Sequence, residues 1–155
     1  MHVRSGPWTE SEIEAFLVDT VIPVRVASNG RDGVPMVQSM WFRYEDGGLW
    51  CATQSDAVLA QRLGADPRVG FEVAGDAMPY HGVRGTGRAE VHAAPAAAVL
   101  RSLIERYQGD VDSPFARWLM ARVDSEVAIR ITDLAVVSWD YRNRMGHRGS
   151  VDSTP

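Results

Sequence analysis

The chain has 155 residues, 45% hydrophobic and 23% charged, which suits one globular domain with a sizeable core and not a disordered chain. Its net charge of −4 argues against holding bulk nucleic acid through phosphates, and no apolar run approaches the roughly 18 residues of a membrane span. All 16 basic residues are Arg and Cys51 is the single cysteine, which excludes a lysine Schiff base, a P-loop lysine, an intrachain disulfide and a multi-cysteine zinc site.

Residues 1–14 are polar, with Glu10, Glu12 and Glu14 and no apolar core, unlike a secretory signal; a cytoplasmic location is expected. Thr9 and Glu12 have the spacing of a capping box, and Ile13, Phe16 and Leu17 then share one helical face, with Pro23 ending the segment. A strand is predicted over 24–28. The turn chemistry of Asn29-Gly30-Arg31-Asp32-Gly33 joins it to a second strand over 36–44. Glu45-Asp46-Gly47-Gly48 turns into a third strand over 49–53, and the three strands read as a meander. A helix over 56–63 follows, with Ser55 as its N-cap, broken by Asp66-Pro67. A fourth strand covers 68–73 and a loop 75–82. Over 82–92 the chain alternates: Val83, Gly85, Gly87, Ala89 and Val91 form a small face that predicts close approach of a ligand or another strand. Pro95 opens a helix to Tyr107, and Ser113-Pro114 opens another through Trp118 and Val123. Strands over 127–131 and 135–141 close the pattern. Residues 1–142 are expected to form the single domain and 143–155 a fraying tail. Five or six antiparallel strands with helices inserted late argue for an α+β chain, mainly β, built as a small barrel of about six strands with helical decoration.

The chemistry-bearing candidates are few. Gly85-Thr86-Gly87 lacks the third glycine and the strand-to-helix context of a dinucleotide fingerprint. Thr53-Gln54-Ser55-Asp56 lies where a strand enters a helix, which suits either a phosphate site or plain N-capping by Ser55. The second strand is mixed on both faces: Val37, Ser39, Trp41 and Arg43 on one, Met36, Gln38, Met40, Phe42 and Tyr44 on the other. That predicts a subunit seam or a flat apolar ligand. Trp50, Trp118 and Trp139 are expected in a core or interface, Cys51 in the core, and Asp124 and Glu126 in solvent. The histidines, His2, His81, His92 and His147, include no i, i+4 pair for a zinc hydrolase, and no nucleophile stands in an elbow motif. A hydrolase using His81 or His92 has only the presence of histidines behind it.

The ordered set of segments is similar to the pyridoxamine 5′-phosphate oxidase-like superfamily of split β-barrel flavoproteins. It comprises Pro35-Met36-Val37-Gln38-Ser39-Met40-Trp41-Phe42, Asp46-Gly47, Leu49-Trp50-Cys51-Ala52-Thr53, Ala65-Asp66-Pro67-Arg68-Val69, Gly85-Thr86-Gly87-Arg88-Ala89, Val127-Ala128-Ile129-Arg130-Ile131 and Ser138-Trp139-Asp140. The resemblance implies a split barrel, a homodimer with cofactor at the seam, and a small-molecule substrate. It implies FMN or, in some branches, the 8-hydroxy-5-deazaflavin coenzyme. The phosphate would lie by Thr53, Gln54 and Ser55 and the ring along Gln38, Ser39, Met40 and Trp41, with Tyr80 and Trp139 supplied by the partner chain. The implied activity is that of an oxidoreductase whose cofactor carries the hydride chemistry; the alternative is a non-catalytic carrier of a flavin, deazaflavin or haem. The pattern departs at one place: many relatives carry a cation just after Ser55, where this chain has Asp56-Ala57-Val58-Leu59. Arg62, Arg84 and Arg88 are the candidates to replace it. The specific residues of pyridoxine phosphate oxidation, including its basic carboxy-terminal motif, are not evident.

Overall fold

The computed structural model describes residues 1–145. In chain order the elements are β1 (His2–Ser5), α1 (Glu10–Asp19), β2 (Val24–Asn29), β3 (Pro35–Met40), β4 (Arg43–Glu45), β5 (Gly48–Gln54), α2 (Val58–Ala65), β6 (Arg68–Ala74), β7 (His81–His92), α3 (Ala96–Gln108), α4 (Pro114–Met120), β8 (Glu126–Asp140) and α5 (Arg142–Met145). A 3₁₀ turn, Val123–Ser125, joins α4 to β8. The strands form one eight-stranded sheet in the order β3-β2-β6-β7-β8-β5-β4, with β1 lying parallel beside β8. All other ladders are antiparallel. Among the described residues no helix is long and apolar enough to cross a membrane.

The α+β class matches the sequence reading, while the strand count rises from about six to eight. One reason is that the strand expected over 36–44 is two strands. Phe42 leaves the ladder: its ring is fully buried, and its N–H donates to the Tyr107 hydroxyl at 3.3 Å. The chain therefore switches partners there, β3 pairing with β2 and β4 with β5, so two hairpins replace the expected meander. Residues 127–131 and 135–141 meanwhile fuse into the single strand β8. Asp133 adopts φ 52°, and the β7 ladder slips register between Thr86 and Arg88, a local irregularity in place of a turn. Of the expected tail, Asn143 to Met145 lie in α5, and 146–155 lie outside the described residues.

The switch at Trp41-Phe42 also curls the sheet. β3 and β4 stand at opposite ends of the seven-strand path. Laid flat at about 4.8 Å per step, those ends would lie about 29 Å apart. Yet the three steps from Met40 to Arg43 reach at most about 10 Å. The edges must come together, although no ladder among the described residues joins β3 to β4. The interior of the curl holds Val24, Val26, Phe42, Leu49, Cys51, Val83, Ile129 and Ile131. Helix α1 adds Ile13 and Leu17, and α2 adds Leu59 and Leu63. The expected capping box starts α1: the Thr9 hydroxyl accepts the Glu12 N–H at 3.3 Å, and the Glu12 carboxylate accepts the Thr9 N–H at 2.7 Å.

On the other face of β5 and β8, Ala52 and Ala128 receive α3 through Val99 and Leu103. The small face of β7 approaches backbone. A Cβ on Gly85 would stand 2.4 Å from the Ala135 carbonyl oxygen and 2.9 Å from the Phe71 ring, so the small residues there serve strand packing. Met36 and Val37, on opposite faces of β3, are 49% and 63% exposed.

Candidate functional site

The end of β3, the end of β5 and the inner sides of α3 and α4 enclose a cavity of about 350 Å³. β3 and the residue after it bring Ser39, Met40 and Trp41; β5 brings Ala52, Thr53 and Gln54. These two segments meet because the sheet curls at Trp41-Phe42. Leu100 and Leu103 from α3 and Leu119 from α4 complete an apolar wall. Trp41 is fixed: its ring stacks on Tyr107 at 5.0 Å and 8°, and the edge of Phe115 meets it at 6.3 Å. Tyr107 is itself pinned, its hydroxyl donating to the Ile22 carbonyl at 2.9 Å.

Among the described residues two charged side chains line the cavity, Arg122 and Glu126. The Arg122 guanidinium lies over the Trp118 ring at 5.2 Å and makes no hydrogen bond among the described residues. Glu126, expected in solvent, is 9% exposed. The cause is its ladder position opposite Gln54, which turns it into the site. The Ser125 hydroxyl lies 2.6 Å from Gln54 Oε1 and 2.8 Å from the Arg122 carbonyl, its two alternative acceptors, and the Gln54 amide N–H donates to Glu126 Oε1. Burial raises the Glu126 pKa above the usual carboxylate value, and the Gln54 hydrogen bond and Arg122 offset part of that rise.

Five of the residues picked from sequence, Ser39, Met40, Trp41, Thr53 and Gln54, meet at this cavity. The rest lie elsewhere in the chain. Gln38 is exposed and does not line the cavity. Ser55 is exposed and is not an N-cap. The Ala57 N–H bonds the Gln54 carbonyl at 3.0 Å, a turn that delays α2, so Ala57 is the N-cap and no side chain caps the helix. The Ser55 N–H is spent on the Ser125 carbonyl at 2.7 Å. Arg62 lines a separate cleft with Asn29, Asp32 and Asp66. Arg88 is exposed on β7 opposite Arg68, and Arg84 lies over the Trp139 ring at 5.8 Å. Tyr80 sits in the loop before β7, 41% exposed, its carbonyl accepting the Tyr141 N–H at 2.9 Å. Trp139 is half-buried against Gly82, whereas Trp118, expected in a core or interface, is 54% exposed in the chain. His81 and His92 stand at the two ends of β7, and neither lines the cavity.

Sequence reasoning missed Arg122 and Glu126. One signal was available: Glu126 opens a β-run whose next residues are apolar, so a strand starting one residue earlier carries it inward. Arg122 had none, since its position depends on the turn between α4 and β8.

The family model described as pyridoxamine 5′-phosphate oxidase matches residues 9–137. No curated protein sequence matches the chain. Among solved structures, a conserved hypothetical protein of Mycobacterium tuberculosis superposes with a TM-score of 0.76 at 30% identity, over 96% of each chain. An F420 reductase superposes at 0.66 with 24% identity, over 77% of this chain and 92% of that one. A FAD-binding protein of Mesorhizobium loti gives 0.62 and 20%, over 84% and 93%.

Proposed function

The chain belongs to the pyridoxamine 5′-phosphate oxidase-like superfamily of FMN- and deazaflavin-associated split barrels, and from that premise we propose that it is a flavin- or deazaflavin-dependent oxidoreductase acting on a small molecule. The observation that carries this is the cavity where Ser39, Met40, Trp41, Thr53 and Gln54 converge from two strands. Its volume of about 350 Å³ falls within the range of small-molecule sites. Its residues fit a planar heterocycle: Trp41, Met40, Leu103 and Leu119 offer apolar contact, and Ser39, Thr53 and Gln54 offer hydrogen bonds. The names of the F420 reductase and the FAD-binding protein agree with such a cofactor. A doubly charged phosphate fits less well, because α2 starts without a basic residue or a side-chain cap.

When bound, the cofactor supplies the hydride chemistry. The chain's residues bind and orient. Trp41, locked by Tyr107, fixes one wall. Gln54, beside Ser125, presents its amide, and Arg122 contributes positive charge at the rim. Two copies of residues 1–142 pair through the outer face of β2 and β3, where Val37 is exposed, and Tyr80 and Trp139 of the partner subunit complete the site beside Gln38. Such an interface buries more than about 1,000 Å².

A non-catalytic carrier is the second reading, favoured by the missing cation. The test is to load the protein with FMN or deazaflavin, reduce it with NADPH or reduced deazaflavin, and follow electron transfer to quinones, enones and tetrapyrroles. Turnover supports the enzyme; binding without turnover supports the carrier.

A further inference from the structure

Within the cavity, Glu126 has no place in the binding of a phosphorylated cofactor. It is 9% exposed and lines the cavity wall beside Thr53 and Gln54, where the superfamily resemblance puts a phosphate. Its position is built. Gln54 and Glu126 are ladder partners, the Ser125 hydroxyl lies 2.6 Å from Gln54 Oε1, and the Gln54 amide donates to Glu126 Oε1. The other carboxyl oxygen makes no hydrogen bond to a described residue, which leaves it to accept from a ligand. Among the described residues Arg122 is the sole positive charge lining the cavity, so the pair sums to zero charge. A phosphate dianion placed there would gain one cation and face one carboxylate, whereas a phosphate site draws on paired arginines or lysines. A neutral terminal hydroxyl in the same place meets both residues favourably, its O–H donating to Glu126 and its oxygen accepting from Arg122.

We propose that Glu126 is the specificity-determining residue of the cavity: standing where the phosphate would lie, it accepts a ligand O–H and turns away a phosphate monoester, so the chain selects a heterocycle whose side chain ends in a free hydroxyl over its phosphate ester. This rests on the flavin or deazaflavin reading of the cavity and narrows it.

The test is equilibrium titration of the full chain with riboflavin and with FMN, followed by flavin fluorescence, in the wild type and in Glu126→Gln. Riboflavin and FMN share the ring and differ in the phosphate. The wild type should bind riboflavin at least about tenfold tighter than FMN, a difference of about 1.4 kcal/mol. Glu126→Gln keeps an oxygen for the Gln54 amide and removes the negative charge, so FMN affinity should rise until the two ligands differ by less than threefold. The wild-type comparison stands even if the variant fails to fold. FMN binding as tight as or tighter than riboflavin in the wild type, or an unchanged preference in a folded Glu126→Gln, overturns the inference and leaves the flavin reading intact. Failure of both ligands and of deazaflavin to bind overturns both.

Discussion

Tyr107→Phe perturbs the point that organises the site. The Tyr107 hydroxyl donates to the Ile22 carbonyl at 2.9 Å and accepts the Phe42 N–H at 3.3 Å, tying α3 to the crossover between β3 and β4. Each such bond is worth about 0.5–1.5 kcal/mol net, with the longer one at the weak end, so their joint loss costs about 2 kcal/mol. The ring itself remains, so its 5.0 Å stack on Trp41 persists and little cavity is created. For a domain of this size each kcal/mol lowers Tm by about 2–4 °C, giving a fall of about 4–8 °C. Urea unfolding followed by circular dichroism should show a lower midpoint with an unchanged slope. Hydrogen exchange at the Phe42 amide should accelerate more than at the β5 amides. A stability change under about 0.5 kcal/mol, with Phe42 exchange unaltered, would refute the claim that this hydroxyl pins the crossover.

Cys51 is 1% exposed, and burial pushes its thiol up to about 12, so the native chain at pH 8 should resist a disulfide reagent that labels it fully in urea. Rapid native labelling would contradict the packed interior. Glu126→Gln should be more stable than the wild type at pH 8. Burial holds the Glu126 pKa in the folded chain above its unfolded value, so the carboxyl stabilises the fold below the unfolded pKa and loses that stabilisation as pH rises through the folded one. The gap between the two proteins, read from urea midpoints, should close as pH falls towards 4; a gap that widens on acidification would reverse the sign.

Much of the local structure was legible because it depends on neighbours in sequence. The Thr9–Glu12 capping box, the Ser113 cap on α4 and the Asp46-Gly47 turn, with φ of 49° and 70°, are all short-range chemistry. What escaped is set by tertiary partners. Residues 36–44 read as one strand because no Gly, Pro, Asn or Asp interrupts them; only the burial of Phe42 and the Tyr107 bond reveal two. Ser55 looked like a cap because it precedes the helical pattern, but the turn at Gln54 to Ala57 moves the helix start. Arg62, Arg84 and Arg88 offer a replacement for the cation missing after Ser55 only by chain proximity or strand face. The arginine that lines the cavity, Arg122, is far away in sequence and arrives through the fold. The five residues that do converge came from recognising that a two-faced strand and a strand-to-helix junction each want a partner.

The most direct measurement of the central claim, that the cavity between β3, β5 and α3 holds the heterocycle, is riboflavin titration of Ser39→Trp beside the wild type. Ser39 lines the cavity from the exposed edge of β3, so an indole there fills ligand space without entering the core. Circular dichroism should report the same fold for both proteins. The account predicts saturable binding by the wild type below about 100 μM, equivalent to about −5.5 kcal/mol, and at least tenfold weaker binding by the folded variant. Equal affinity in the two proteins would place the ring elsewhere and contradict the account.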